Sequence, residues 1–243
     1  MLKKLFKLDV RWYVVIAIAF MALVAVKEHG ALVATHIISI CLISCVLDFI
    51  ITYVFNRKTI FPLSALVSGL IIATVLAPAR LFYLAPLFAI LSKHLIRCSG
   101  RHIFNPAAFG LLAVNLLWGL PLSWWLVSNI TVVFIFGFFL AYRIKKLGLI
   151  ASFLCALFVL SIFYSLLMHQ AVLANIGVLN LFFAFFMLPE PKTSPVGLKS
   201  KLIYGVVVAL FSFLSFAFLP RFDFLILGLV MGNIVGVFLR KVR

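Results

Sequence analysis

Apolar residues fill the chain in blocks of 14 to 25, separated by short segments that hold most of the charge and proline. A helix that crosses a bilayer needs roughly 20 predominantly apolar residues. Read this way, the pattern predicts spans at 11–26, 31–55, 63–78, 82–96, 106–119, 124–142, 149–168, 171–188, 202–219 and 224–239. The segment MLKKLFKLDVRWYVV at the start resembles a signal-peptide n-region, but it lacks a small-residue cleavage site and runs straight into a full span. It is expected to stay as the first helix.

Several spans are short, and four of them fall at matching places. The third, fifth, eighth and tenth are short, at 16, 14, 18 and 16 residues. Pro62 and Pro78 bracket the third, and Pro106 and Pro121 bracket the fifth. These four thus fall at the same places in two sets of five. A set with an odd number of crossings comes back inverted in its second copy, and short or broken helices at matching places of inverted repeats point to a site near the midplane. The segments LIIATVLAP (70–78) and LFFAFFMLP (181–189) share Leu, Ala and the closing Pro. Short spans in a bundle of tilted neighbours would give the same lengths without a repeat. The expectation is one polytopic domain over 1–243, an all-α membrane protein of about ten transmembrane helices in two inverted five-helix repeats, about 10–119 and 124–240.

Composition excludes a soluble enzyme. Of 243 residues 66% are hydrophobic and only 11% charged, against about a quarter charged in soluble domains. Net charge is +16, which in a soluble chain would suggest nucleic acid. Here the cations sit in short clusters between apolar runs, so the partner is the lipid bilayer and no nucleic acid is expected. With the N-terminus inside, 17 Lys and Arg fall on inner segments (18 with Lys93) and only Lys27, Arg80 and Arg221 on outer ones. Positive residues are retained on the cytoplasmic side, so the cell membrane, with both termini cytoplasmic, is the expected placement.

Polar residues inside apolar runs are candidates for chemistry. Asp48 is an acid well inside a span, where a carboxylate costs on the order of 3 kcal/mol. It lies about two turns from Arg57 and Lys58, toward which it could snorkel; the other reading is an ion pathway. Asn115, Asn175, Asn180 and Asn233, with Ser68 and Thr74, cluster on the short spans, either as interhelical hydrogen-bond partners or as the lining of a pore. The histidines lack paired positions on facing span centres, which argues against haem. The four cysteines have no metal-finger spacing, and no metal site is expected.

The densest signal is KHLIRCSGRHIFNPAAFG (93–110). Asn105 followed by Pro106 reads as a helix start, Gly100 permits a turn before it, and Lys93, His94, Arg97, Arg101 and His102 surround it. Helix amides inside a basic ring form an anion site; an ordinary capped helix with cytoplasmic charge is the plainer reading. A second signal, FFMLPEPKTSPVGLKSKLIYG (185–205), reads as an inner loop with Glu190 between two prolines.

These segments resemble the RnfD/NqrB family, which contains membrane subunits of the Rnf electron-transport complex and of the sodium-translocating NADH:quinone reductase. SALVSGLIIATVLAP (64–78) resembles its T-G-L-L-L-A-L-L-P helix. Lys93, His94, Gly100, Phe104, Asn105, Pro106 and Ala107 match its G-K-H…F-N-P-A segment. Pro191, Thr193 and Ser194 fit its T-D-P-x-T-S-P stretch, with Glu190 for the usual Asp, and Asn233 falls on the asparagine of its last helix. The resemblance implies a subunit of an electron-transfer complex, of a kind that includes ion-coupled members, with other membrane and redox subunits as partners. It implies cofactor-binding roles for Lys93, His94, Gly100, Arg101, Asn105, Pro106, Thr193 and Ser194, and ion-pathway roles for Asp48 and Asn233. Members with covalent FMN carry it on the threonine of an S-G-A-T-like motif in an outer region after the FNPA helix. That region is WGLPLSWW (118–125) here, and no such motif occurs. The chain thus reads as a short form without covalent FMN, with room for a non-covalent flavin (FMN or riboflavin). No catalytic residue is assigned. The alternative is a solute or ion transporter or channel on the same scaffold.

Overall fold

In the computed structural model, residues 9–125, 130–169 and 180–241 are described. Ten helical elements appear among them: α1 (Val10–His29), α2 (Ala31–Asn56), α3 (Leu63–Val75), α4 (Leu84–Leu95), α5 (Pro106–Trp118), α6 (Ile130–Arg143), α7 (Leu147–Leu167), a π-helical turn π1 (Phe183–Met187), α8 (Leu198–Phe218) and α9 (Phe224–Lys241). The protein is an all-α, multi-pass membrane protein. By length and apolar composition, α1, α2, α7 and α8 can each cross a bilayer. Their outward faces carry large apolar side chains, such as Leu32, Leu42, Phe163 and Leu198, which suits lipid and would not suit water.

The short helices are completed by other means. At 13 residues, α3 and α5 each span about 20 Å, less than the hydrocarbon thickness. Beyond α3 the chain turns extended, and Leu76 forms an antiparallel bridge with Leu122. Ala77 N donates to Pro121 O (3.3 Å) and Ser123 N to Val75 O (2.9 Å). The broken ends of α3 and α5 therefore satisfy each other's backbone, as non-helical chain inside a membrane protein must. Gly119, at φ 65°, closes α5 in the left-handed region that glycine tolerates.

Several expected boundaries move. The sixth span was expected from residue 124; Trp124 is instead non-helical, with φ 51°, and helix is described only from Ile130. The segment 185–205, expected as a loop, contains the end of π1 and the first turns of α8, so Lys199 and Lys201 are helical. A small hairpin, β1 (Arg97–Cys98) paired with β2 (Arg101–His102), stands before α5. Its turn residues Ser99 and Gly100 both have positive φ (50° and 76°), as a two-residue hairpin turn demands. Asn175 and the first part of the eighth expected span lie outside the described residues, as do Lys3, Lys4 and Lys7.

Five packing pairs recur between the halves. The pairs α1 with α2, α1 with α3, α2 with α3, α2 with α4 and α4 with α5 recur as α6 with α7, α6 with π1, α7 with π1, α7 with α8 and α8 with α9. Between halves, α1 packs on α6 and α5 on α9. At the centre, residues 182–189 are buried without interruption. Long-range polar contacts fall at two ends of the bundle. One end holds Lys93, His102, Lys146, Glu190 and Arg240; the other holds His36, Leu76, Trp124, Trp125 and Asp223.

Candidate functional site

A cavity of about 440 Å³ opens between the two halves at the basic end, a volume typical of small-molecule sites. One wall is the inner face of α3, with Ser64, Ser68 and Ile71. Serines four apart share a helix face, and Ser68 Oγ donates to Ser64 O (3.1 Å), so its hydroxyl needs no outside partner. The opposite wall is Leu140 and Ile144 with Phe185 and Phe186 of π1. Asn105, Pro106 and His102 close one side; Glu190, Lys192, Asp9 and Arg11 surround the rim.

Asn105 joins the halves. Its Oδ1 accepts from Ala108 N (3.1 Å), capping α5, and its Nδ2 donates to Met187 O (3.1 Å). A π turn leaves carbonyls without their usual partners, and this one is supplied from the other half. The cap changes the expected anion site. Pro106 has no amide hydrogen, Ala108 N is held by the cap, and Phe109 N donates to Asn105 O (2.9 Å). Asn105 therefore acts as a cavity wall and a tie rather than as one edge of a nest of free amides.

Lys93 reaches the cavity from α4. Its Nζ donates to Asp48 Oδ1 (2.7 Å), Asp48 Oδ2 (2.9 Å) and Ser64 Oγ (2.7 Å). His94 Nε2 lies 2.7 Å from Asp48 Oδ1. Asp48 is 4% exposed, so this is an ion cluster withdrawn from solvent, neutralised within α2, α3 and α4. The aspartate faces Lys93 and His94, not Arg57 or Lys58. Sequence spacing could not show this, because the partners are 45 residues apart.

The Glu190 turn is tied on both sides. His102 Nε2 meets Glu190 Oε1 at 3.0 Å across the halves, and Thr193 Oγ1 donates to Oε2 at 3.2 Å. Ser194 Oγ donates to Glu190 O (2.7 Å). Thr193 and Ser194 are fully buried; they hold the turn and do not line the cavity. Lys146, between α6 and α7, donates to Ser194 Oγ (2.8 Å) and to Pro195 O. Burial, with Lys201 nearby, lowers its ammonium to about 8. Arg240 Nη1 donates to Lys192 O.

Of the expected site residues, the cavity brings together Lys93, Asn105 and Pro106. His94 stands behind Lys93 on Asp48. Gly100 and the exposed Arg101 belong to the hairpin, where Arg97 Nη2 donates to Gly100 O (2.7 Å). Asn233 lies on α9, fully buried, accepting from Tyr204 Oη at 2.6 Å. Sequence reading did not single out Ser64, Lys146 or Lys192. The Ser64–Ser68 spacing was the available signal for the first; nothing local marks the other two. Among the described residues no three His, Cys, Asp or Glu side chains gather as a metal site.

A multi-pass helical bundle of two similarly packed halves, with a polar-rimmed cavity between them, defines the class of this protein. The chain belongs to the NQR2, RnfD, RnfE family, whose family model matches residues 7–129. The matched stretch runs from α1 through the Asn105 cap to the chain just before α6. Members of this family are membrane subunits of Rnf and Nqr electron-transport or ion-translocating complexes. No curated protein matches the sequence.

Proposed function

We propose that the chain is a short membrane subunit, of the RnfD/NqrB kind, in an Rnf- or Nqr-like electron-transfer complex. It sits in the cytoplasmic membrane as two inverted five-helix units with both termini inside, alongside other membrane and redox subunits. The cavity beside Asn105 carries this reading. Its apolar walls, Ile71, Leu140, Ile144, Phe185 and Phe186, suit a planar ring system, while Ser64, Lys93, His102 and Lys192 supply polar atoms along one side. A non-covalent flavin (FMN or riboflavin) fits that donor set, and when bound it supplies the capacity to take electrons singly or in pairs. The chain's own residues then have defined tasks. The aromatic and aliphatic walls exclude water, Lys192 supplies a cation at the rim for polar substituents, and the Asn105–Met187 tie keeps the two walls in register. No covalent FMN is proposed, because the acceptor motif is missing from residues 118–125.

Substituting Ser68→Phe, which fills the cavity from α3, tests the assignment. The variant should keep its yield and unfold at the temperature of flavin-free wild type, yet bind no flavin. Flavin retained at the wild-type ratio would remove the cavity from consideration.

The Asp48–Lys93–His94 cluster favours a second reading, a solute or ion transporter on the same scaffold. Intramembrane charges that border a cavity mark ion paths by default, and Asp48, with Asn233 on α9, would then line one. Purified protein that is colourless yet carries solute in vesicles would favour this second reading.

A further inference from the structure

The two short helices that meet between the halves carry the same features in the same order. In α5 the capping Asn105 accepts from Ala108 N (3.1 Å); in α9 the capping Asp223 accepts from Ile226 N (2.9 Å). Five residues after each cap stand Gly110 and Gly228, then the fully buried Leu111 and Leu229, and ten after the cap Asn115 and Asn233. Each of these two asparagines has a buried amide atom without a hydrogen-bond partner, Oδ1 in one and Nδ2 in the other. The broken segments agree as well. Leu76 and Met187 occupy the same place in LIIATVLAP and LFFAFFMLP, and the carbonyl of each accepts side-chain donors from elsewhere, His36 and Trp125 in one case and Asn105 in the other.

This register transfers the cavity to the other end of the bundle, one length of α5 away. Three of its lining residues, Ile71, Asn105 and Phe186, correspond to Phe182, Asp223 and Val75. All three counterparts touch Trp124. Its Nε1 donates to Asp223 Oδ2 at 2.7 Å. Its ring stands edge-on to Phe182, with centroids 6.4 Å apart, and to Phe183 at 6.3 Å. Its backbone N donates to Val75 O at 3.3 Å. Trp124 also holds φ at 51°, a conformation that costs a non-glycine residue free energy and persists where surrounding contacts enforce it.

We propose that Trp124 is an internal plug, its indole filling the inverted counterpart of the basic-end cavity, so that the chain carries a second, self-occupied site for a planar aromatic ring bearing one N–H. The inference rests on the inverted-repeat reading above and adds an occupant to it. The consequence is one-sided access: the basic end is open to a ligand while the opposite end is closed by the chain itself.

Free indole is the probe. In detergent, Trp124→Ala should unfold several degrees below wild type, and indole should restore the loss saturably while leaving wild type unmoved. Benzothiophene, which has the same shape without the N–H, should bind at least about tenfold more weakly, the lower end for a hydrogen bond to a charged acceptor. Trp124→Phe, which keeps a ring, should show little indole response. If Trp124→Ala yields no folded protein, indole in the growth medium should recover it. An unchanged unfolding temperature, a loss that indole does not correct, or no recovery in the medium would each overturn the plug. Failure of the repeat would look different. Single cysteines at Arg80 and Val196, which follow the broken segments at matching places in the two halves and are both exposed, would then react from the same side of the membrane, whatever indole does.

Discussion

Asn105 of α5 and Met187 of π1 are joined by one hydrogen bond, Nδ2 to carbonyl oxygen at 3.1 Å, and it ties the two halves across the cavity. The same side chain caps α5. Asn105→Ala removes both functions, costing about 1 kcal/mol for the cap and about 1–3 kcal/mol for the buried carbonyl left without a donor. Asn105→Ser keeps a cap and loses only the tie. Unfolding in detergent should rank wild type above Ser and Ser above Ala; equal losses in the two variants would mean that the tie contributes nothing.

Lys93 and Asp48 should behave as a coupled pair. Breaking a buried ion pair from one side costs about 3–5 kcal/mol, because the remaining charge is stranded, whereas replacing both partners is often neutral. Asp48→Asn strands Lys93 beside Ser64. Lys93→Met leaves Asp48 with His94, at 2.7 Å, and should therefore cost less. The double variant should recover most of the loss. Additive losses in a double-mutant cycle would show that the two groups do not interact.

Gly110 and Gly148 should respond oppositely to alanine. A Cβ on Gly110 would lie 2.3 Å from Ala85 O and 2.9 Å from Ala89 Cβ, so α4 and α5 would have to separate. Overpacking of that kind typically costs about 1–3 kcal/mol. At Gly148 the nearest atoms are the flexible ends of Leu198 and Leu202 at 3.6 and 3.8 Å, and alanine should stabilise α7 by roughly 0.5–1 kcal/mol. Comparing the two melting temperatures checks this.

The sequence made the helical plan legible because apolar block length and charge placement are one-dimensional properties. The cap at Asn105 was legible for the same reason: its two partners in the pattern, Pro106 and the apolar run, follow it directly. What stayed hidden depended on residues distant in sequence. Asp48 meets Lys93 only when α2 and α4 pack, and Glu190 meets His102 only when the halves close. The break at Leu76 was marked by Pro78, yet the strand-like pairing with Leu122 was not, since three residues of extended chain carry no periodicity. Trp124 was expected at the start of a span because Trp and Leu are apolar; it is non-helical, and its indole N–H meets Asp223, 99 residues away.

Charge placement assigns sides that can be read directly. With Cys41, Cys45, Cys98 and Cys155 replaced by serine, single cysteines at Ser123 and Val196, both exposed, should react with a membrane-impermeant reagent differently in intact cells. Ser123 should label from outside and Val196 only after permeabilisation. The reverse pattern would invert the topology, and labelling of both from outside would remove it.

The flavin itself is the most direct test of the central claim. Purified protein should show flavin absorbance in the native state, the colour should pass entirely into the filtrate on denaturation, and the intact mass of the chain should equal that of its 243 residues. A colourless native protein would contradict the electron-transfer assignment, and a chain heavier by one FMN would contradict its non-covalent form.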